Sequence, residues 1–322
     1  MQTIQQEIDE RTNLTSSNKL ELLLFRLGHD PLLDRAELFG INVFKVREII
    51  PMPDITAVAG SPPNMMGVVD LRGQVLPVIN LPAVAGCTPK TGLNILLITE
   101  YARSTQAFAV ESVEDIVRLD WGQVLSAEGN TAGMVTSIAR LSGENKDQLA
   151  QVLDVETILR QVMPSNELEV DPERIGPKVE LRPGTVILAA DDSLVARTMI
   201  EEGLTAMGLP YIMCKTGKEA WDQLQAISVK EQADGRTVDD KIALVLTDLE
   251  MPEMDGFTLT RNIKQDPRFN AIPVVIHSSL TGSANEAHVK KVGADAYVAK
   301  FVAADLANAL RKALKTHEPC MH

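Results

Sequence analysis

Four charged positions in this chain stand at the ends of three short apolar runs. Asp191 and Asp192 follow Thr185-Val-Ile-Leu-Ala-Ala190, Asp248 follows Ile242-Ala-Leu-Val-Leu-Thr247, and Lys300 follows Ala296-Tyr-Val-Ala299. In an open parallel sheet the C-terminal ends of the strands converge on one crevice, where ligands bind. Runs of this kind would therefore deliver three carboxylates and an ammonium to a single point. A strand-end carboxylate such as Asp248 can attack phosphorus and form an acyl phosphate. Phosphoryl transfer needs little proton chemistry and a great deal of charge neutralisation. Mg2+ suits that task because it takes oxygen ligands and keeps several waters. Asp191, Asp192 and Asp248 offer such oxygens, and the backbone carbonyl of Glu250 could complete the shell. Lys300 would present a point charge to phosphoryl oxygens. Ser278 follows the run Ile272–His277 and could donate its hydroxyl to the same group, with Ser279 as a competitor. Each position has a plainer reading: Asp192-Ser193 as a helix N-cap, Asp248 as a turn residue, Lys300 as a surface lysine. Only the conjunction points to a phosphorylation site.

The elements that must carry these residues follow from the pattern after Pro183-Gly184. Apolar runs at 185–190, 209–214, 242–247, 272–277 and 296–299 alternate with helical-period segments near 193–207, 218–230, 256–265, 283–292 and 303–316. That alternation predicts a (βα)5 doubly wound α/β domain over 184–322. Residues 19–166 read instead as mainly β. Candidate strands are 20–27, 39–46, 66–71, 74–79, 94–99, 106–110 and 112–119, punctuated by Gly, Pro and Asp, which suggests a barrel or sandwich. Arg72-Gly73 predicts a tight hairpin, and Pro77 predicts an edge or bulged strand. A polar leader spans 1–18. The stretch 167–183 is acidic, proline-containing and poor in apolar pattern, and predicts a linker.

Composition excludes several classes. The 322 residues carry a net charge of -13, and both halves are acidic, so neither offers a basic footprint for nucleic acid. No apolar run reaches the length of a membrane span. The start Met1-Gln-Thr-Ile-Gln-Gln-Glu lacks a signal-peptide pattern and predicts a cytoplasmic protein. The three cysteines, Cys87, Cys214 and Cys320, form no C-x-x-C and indicate neither disulfides nor zinc. Within 19–166, His29 is the only histidine. No nucleophile, metal spacing or phosphate loop accompanies it, so this half is expected to bind other proteins.

Residues 185–316 resemble a response-regulator receiver domain, similar to CheY. The matching stretches are Ile187-Leu-Ala-Ala-Asp-Asp-Ser193, Leu246-Thr-Asp-Leu-Glu-Met-Pro-Glu-Met-Asp-Gly256, Ile272-Pro-Val-Val-Ile-His-Ser-Ser279 and Gly293-Ala-Asp-Ala-Tyr-Val-Ala-Lys300. The resemblance implies that a histidine kinase phosphorylates Asp248, that Asp191 and Asp192 hold Mg2+, and that Ser278 and Lys300 contact the phosphoryl group. It also places Tyr297 where receivers often carry an aromatic that changes rotamer on phosphorylation. One position departs: Phe301 follows Lys300 where receivers usually have proline. A cis bond before a non-proline costs about 2.5–4 kcal/mol, so the Lys300–Phe301 peptide is where family geometry carries over least.

The stretches Phe39–Ile50 and Met66-Gly-Val-Val-Asp-Leu-Arg-Gly-Gln-Val-Leu-Pro-Val-Ile-Asn-Leu81, with Val110–Val117, resemble a CheW-like coupling domain over about 20–165. This implies two small five-stranded barrels, docking to chemoreceptor hairpin tips and to the regulatory domain of the chemotaxis histidine kinase. Arg72 is the first interface candidate, since a hairpin-tip guanidinium makes several directed bonds. Val43, Val46 and Ile49 are weaker candidates. A CheW-like domain joined to a receiver matches the CheV family. That match implies a non-enzymatic chemotaxis adaptor, regulated by or draining phosphate through Asp248, at membrane-attached receptor arrays. An alternative is a Mg2+-dependent phosphohydrolase using Asp248 as nucleophile. Such enzymes commonly carry an Asp two residues on as general acid, and here Glu250 stands there.

Overall fold

The structure is a computed structural model. It describes residues 19–30, 35–101, 104–127, 134–141, 148–163, 175–278, 289, 291–300 and 303–316. The chain divides into two compact units, Met1–Ser165 and Asn166–His322. The 1–18 leader, Ser279, Phe301 and the first part of the 167–183 stretch lie outside the described residues, as does most of the helix expected at 283–292.

The first unit is built on two sheets. One has the order β8-β1-β2-β11-β10-β9, with β1 Leu20–Arg26, β2 Leu38–Asn42, β8 Ser112–Leu119, β9 Val124–Ser126, β10 Val135–Leu141 and β11 Gln148–Leu153. The other has the order β3-β6-β7-β5-β4, with β3 Val46–Pro51, β4 Met65–Leu71, β5 Gln74–Asn80, β6 Ile95–Tyr101 and β7 Ser104–Val110. The resemblance implied five strands in each; the three-residue β9 adds a sixth to the first sheet. Each sheet has its own apolar cluster, around Leu22, Leu24 and Ala139 in one and Leu76, Leu96 and Ile98 in the other. Short helices α1 Leu81–Ala85 and α2 Val155–Val162 follow β5 and β11.

Two expectations change here. The run 39–46 does not form one strand. Asn42 Oδ1 accepts the Phe44 N–H at 3.1 Å and caps a 3-10 turn over Val43–Lys45, which carries the chain from the first sheet to the second. Local side-chain capping thus overrides an alternating pattern. Of the two readings of the Pro77 strand, the edge is excluded, since β5 lies between β7 and β4, while the β4–β5 pairing does shift register between Met65 and Gly67, opposite Ile79 and Val78. The parallel pairing of β5 to β7 begins at Val78, one residue beyond Pro77, so the missing N–H leaves that ladder intact. The hairpin at Arg72-Gly73 forms as expected, with φ of 55° and 84°. Positive values at both central residues match the twist of the flanking strands.

The second unit is a five-stranded parallel sheet of order β13-β12-β14-β15-β16. Its strands are β12 Val186–Ala190, β13 Tyr211–Cys214, β14 Ile242–Thr247, β15 Val274–Ser278 and β16 Ala296–Ala299. Described helices are α3 Leu194–Ala206, α4 Gly217–Ala233, α5 Gly256–Gln265 and α6 Ala303–Thr316. The three central strands, β12, β14 and β15, are buried on both faces. Ile187, Ala189, Leu244 and Val275 join α3 and α6 in one cluster, while Leu188, Val245 and Val274 join α4 and α5 in the other. That two-sided burial is why the strands read as continuous apolar runs.

The described part of the expected linker is not free. Ile175 is 1% exposed within the α3–α6 cluster, and Val179 and Leu181 pack against it. Arg311 of α6 donates to the Ile175 and Pro177 carbonyls at 2.5 and 2.8 Å. Val179 N donates to Met207 O at 3.0 Å. Residues from Ile175 onward are therefore part of the second unit.

Candidate functional site: a strand-end crevice

The order β13-β12-β14 places β12 beside β14, and both end in acids. Asp248 N donates to Ala190 O at 2.9 Å, and Asp191 N donates to Cys214 O at 3.2 Å, so the ladder runs to the acidic residues themselves. Carboxylate oxygens of Asp191, Asp192 and Asp248 all lie within 4.8 Å of one another. Asp191 is fully buried, Asp248 is 4% exposed, and Asp192 is half-buried.

Two of the three carboxylates are oriented by backbone donors. Asp191 Oδ1 accepts the Ser193 N–H at 3.0 Å, and Asp248 Oδ1 accepts the Leu249 N–H at 2.7 Å. Lys300 supplies the counter-charge. Its Nζ lies 2.8 Å from Asp191 Oδ2 and 2.8 Å from Asp248 Oδ2, with the ammonium shielded from solvent. The Lys300 N–H donates to Ser278 O at 2.9 Å, which ties the ends of β15 and β16 together. Ser278 is fully buried at the end of β15. Glu250 lies on the loop between β14 and α5, and Tyr297 is half-buried in β16, opposite Ile276.

The loop after Asp248 is shaped by close backbone approach. A Cβ on Gly256 would stand 2.0 Å from Asp248 O, and one on Gly217 would stand 2.2 Å from Met254 O. Only glycine leaves that room. Met251, within this loop, is buried in the adjoining apolar cluster, and Asp255 caps α5 by accepting the Thr258 N–H at 2.6 Å.

Sequence reasoning missed two residues. Arg197 of α3 is 8% exposed, and its Nη1 donates to the carbonyls of Asp191 and Asp192 at 3.0 and 2.8 Å. The available signal was a charged residue on the buried face of α3, in line with Ile200 and Leu204. His277 is buried in β15; desolvation, with the Lys300 charge adding to it, pushes its imidazole down to about 3. Nothing in its sequence context marked it.

Arg72 belongs to the first unit. It is exposed at the β4–β5 hairpin and pairs with Glu48 at 2.6 Å. Val43 and Val46 are core residues, whereas Ile49 is half-buried and lines a surface groove with Asn94 and Val113.

The comparisons agree with this architecture. The CheW-like domain family matches residues 21–163, and the response regulator receiver domain family matches residues 187–313. CheY1, a chemotaxis protein of Helicobacter pylori, is 30% identical over 115 residues, covering 35% of this chain and 83% of its own. Two further chemotaxis proteins of Helicobacter pylori match across both units. CheV2 is 27% identical over 325 residues, covering 96% of this chain and 99% of its own, and CheV3 is 29% identical over 312 residues, covering 95% and 98%. The chain belongs to the CheV family. In CheV terms, the unit that carries Arg72 is the CheW-like domain and the unit that carries Asp248 is the receiver.

The donor set fits Mg2+: three carboxylates close enough to share one ion, all hard oxygen ligands. Among the described residues no helix is long and apolar enough to cross a membrane.

Proposed function

We propose that this protein is a chemotaxis adaptor in which phosphorylation of Asp248 retunes docking by the CheW-like domain. The observation that supports it best is the placement of Asp248. Its carboxylate stands at a strand end with Lys300 at 2.8 Å and two further acids within reach of a shared cation.

In this reading the Asp248 carboxylate attacks the phosphorus of a phosphohistidine on the kinase. An O–P bond forms, the P–N bond breaks, and the imidazole leaves. Asp191, Asp192, Asp248 and the Glu250 carbonyl would hold Mg2+, which when bound supplies charge neutralisation at the phosphoryl oxygens. Lys300 turns from Asp248 Oδ2 to a phosphoryl oxygen. The Ser278 hydroxyl donates to another, and Tyr297 responds as β15 and β16 adjust. The added charge and acceptor oxygens then bias a bistable contact. The CheW-like domain joins receptor hairpin tips to the kinase regulatory domain, with Arg72 at that interface, on the cytoplasmic side of receptor arrays.

The test is direct. Acetyl phosphate with Mg2+ should add one phosphoryl group, read by intact-mass spectrometry, to wild type and none to Asp248→Asn. Equal labelling would remove Asp248 from the mechanism. In a reconstituted array of receptor, kinase and this protein, wild type and Asp248→Asn should differ in kinase output once phosphate flows. Failure of both to recruit kinase would remove the coupling role.

A further inference from the structure

The loop Asp191-Asp192-Ser193 is held from behind by a buried cation. Ser193 caps α3, and the first carbonyl taken up by the helical ladder is that of Ser193, from Arg197 N at 3.0 Å. The carbonyls of Asp191 and Asp192 lie upstream of that ladder. Both are taken by the side chain of the same Arg197, through Nη1 at 3.0 and 2.8 Å. Burying a guanidinium is costly unless its donors are used. Here Nη1 is spent on the two residues whose carboxylates face the shared cation position.

The geometry points to Arg197 as a positioning residue that holds the acidic loop in its metal-binding arrangement. This rests on the Mg2+-dependent phosphoacceptor reading. With Asp191 Oδ1 held by Ser193 N, and Oδ2 beside Lys300 Nζ, the side chain of Asp191 is already fixed. Arg197 fixes the peptide that links it to Asp192. Partners that orient ligands without touching the metal typically change affinity by about 10–100-fold when removed.

Arg197→Met keeps the stem and removes the donors. Calorimetric titration of the full-length protein with Mg2+, in the absence of any phosphodonor, should show affinity weakened at least about 10-fold. The melting temperature and circular dichroism should show a folded chain. Arg197→Lys is the second variant. It retains a cation but loses the reach and the planar fork, and it should also weaken Mg2+ binding. Mg2+ affinity within twofold of wild type in whichever variant folds would overturn the assignment. A wild-type protein that binds no Mg2+ would overturn the metal reading itself, which separates the two failures.

Discussion

Lys300 Nζ reaches Asp248 Oδ2 at 2.8 Å across 52 residues of sequence, with both side chains almost wholly removed from solvent. The same nitrogen lies 2.8 Å from Asp191 Oδ2. One ammonium therefore offsets two buried carboxylates. A buried charge left without its partner is strongly destabilising, whereas an exposed pair is worth little.

Replacing Lys300 by Met should lower the stability of the metal-free receiver by about 3–5 kcal/mol. Added Mg2+ should restore more stability to the variant than to wild type, because a cation among the acids takes over the lost charge. Urea unfolding with and without MgCl2, followed through Trp221 fluorescence in a Trp121→Phe background, gives the comparison. An equal Mg2+ effect in both proteins would contradict it.

Gly256→Ala should damage phosphorylation without touching a charged group. Its Cβ would meet Asp248 O at 2.0 Å and Leu249 Cα at 3.0 Å, so the backbone of the acceptor must move. Overpacking of this kind costs about 1–3 kcal/mol. The acetyl phosphate labelling rate should fall sharply in the variant. A wild-type rate would show that the loop yields without displacing Asp248.

His277 makes the receiver sensitive to mild acid. Its folded value of about 3 lies below the ordinary 6.5. As pH falls below about 6.5 the unfolded chain takes up a proton that the folded imidazole refuses, so stability declines until the pH nears 3. The contribution is complete above the unfolded value. Between pH 7.5 and 5, wild type should lose about 2 kcal/mol more than His277→Gln, the slope approaching about 1.4 kcal/mol per unit once the unfolded imidazole is mostly protonated. Matching losses in the two proteins, read through Trp221 as above, would remove His277 as the cause.

The crevice was legible because a parallel sheet demands continuous apolar runs, and a charge at the end of each run then marks one edge of the sheet. The helices at 256–265 and 303–316 match the structure to the residue, and at the first of them Asp255 supplies the N-cap. Legibility failed where side chains or carbonyls act against the pattern. Asn42 turned an alternating run into a crossover between sheets. Strands β9, β10 and β11 went unread, although β10 alternates in burial, because their sequences mix polar and apolar residues evenly. Arg197 and Arg311 act on main-chain carbonyls, which no residue pattern reveals.

The hold of Arg311 on Ile175 and Pro177 bears on where the chain can be divided. A receiver excised at Pro183, where the α/β pattern begins, would lose Ile175 from an apolar cluster that includes Met207, Leu306 and Leu310. It would also strip Arg311 of two carbonyl acceptors. The fragment would present a greasy slot beside an unsatisfied guanidinium, a surface suited to self-association. A fragment beginning before Ile175 keeps that slot filled by the Ile175 side chain, and should be the better-behaved of the two in isolation.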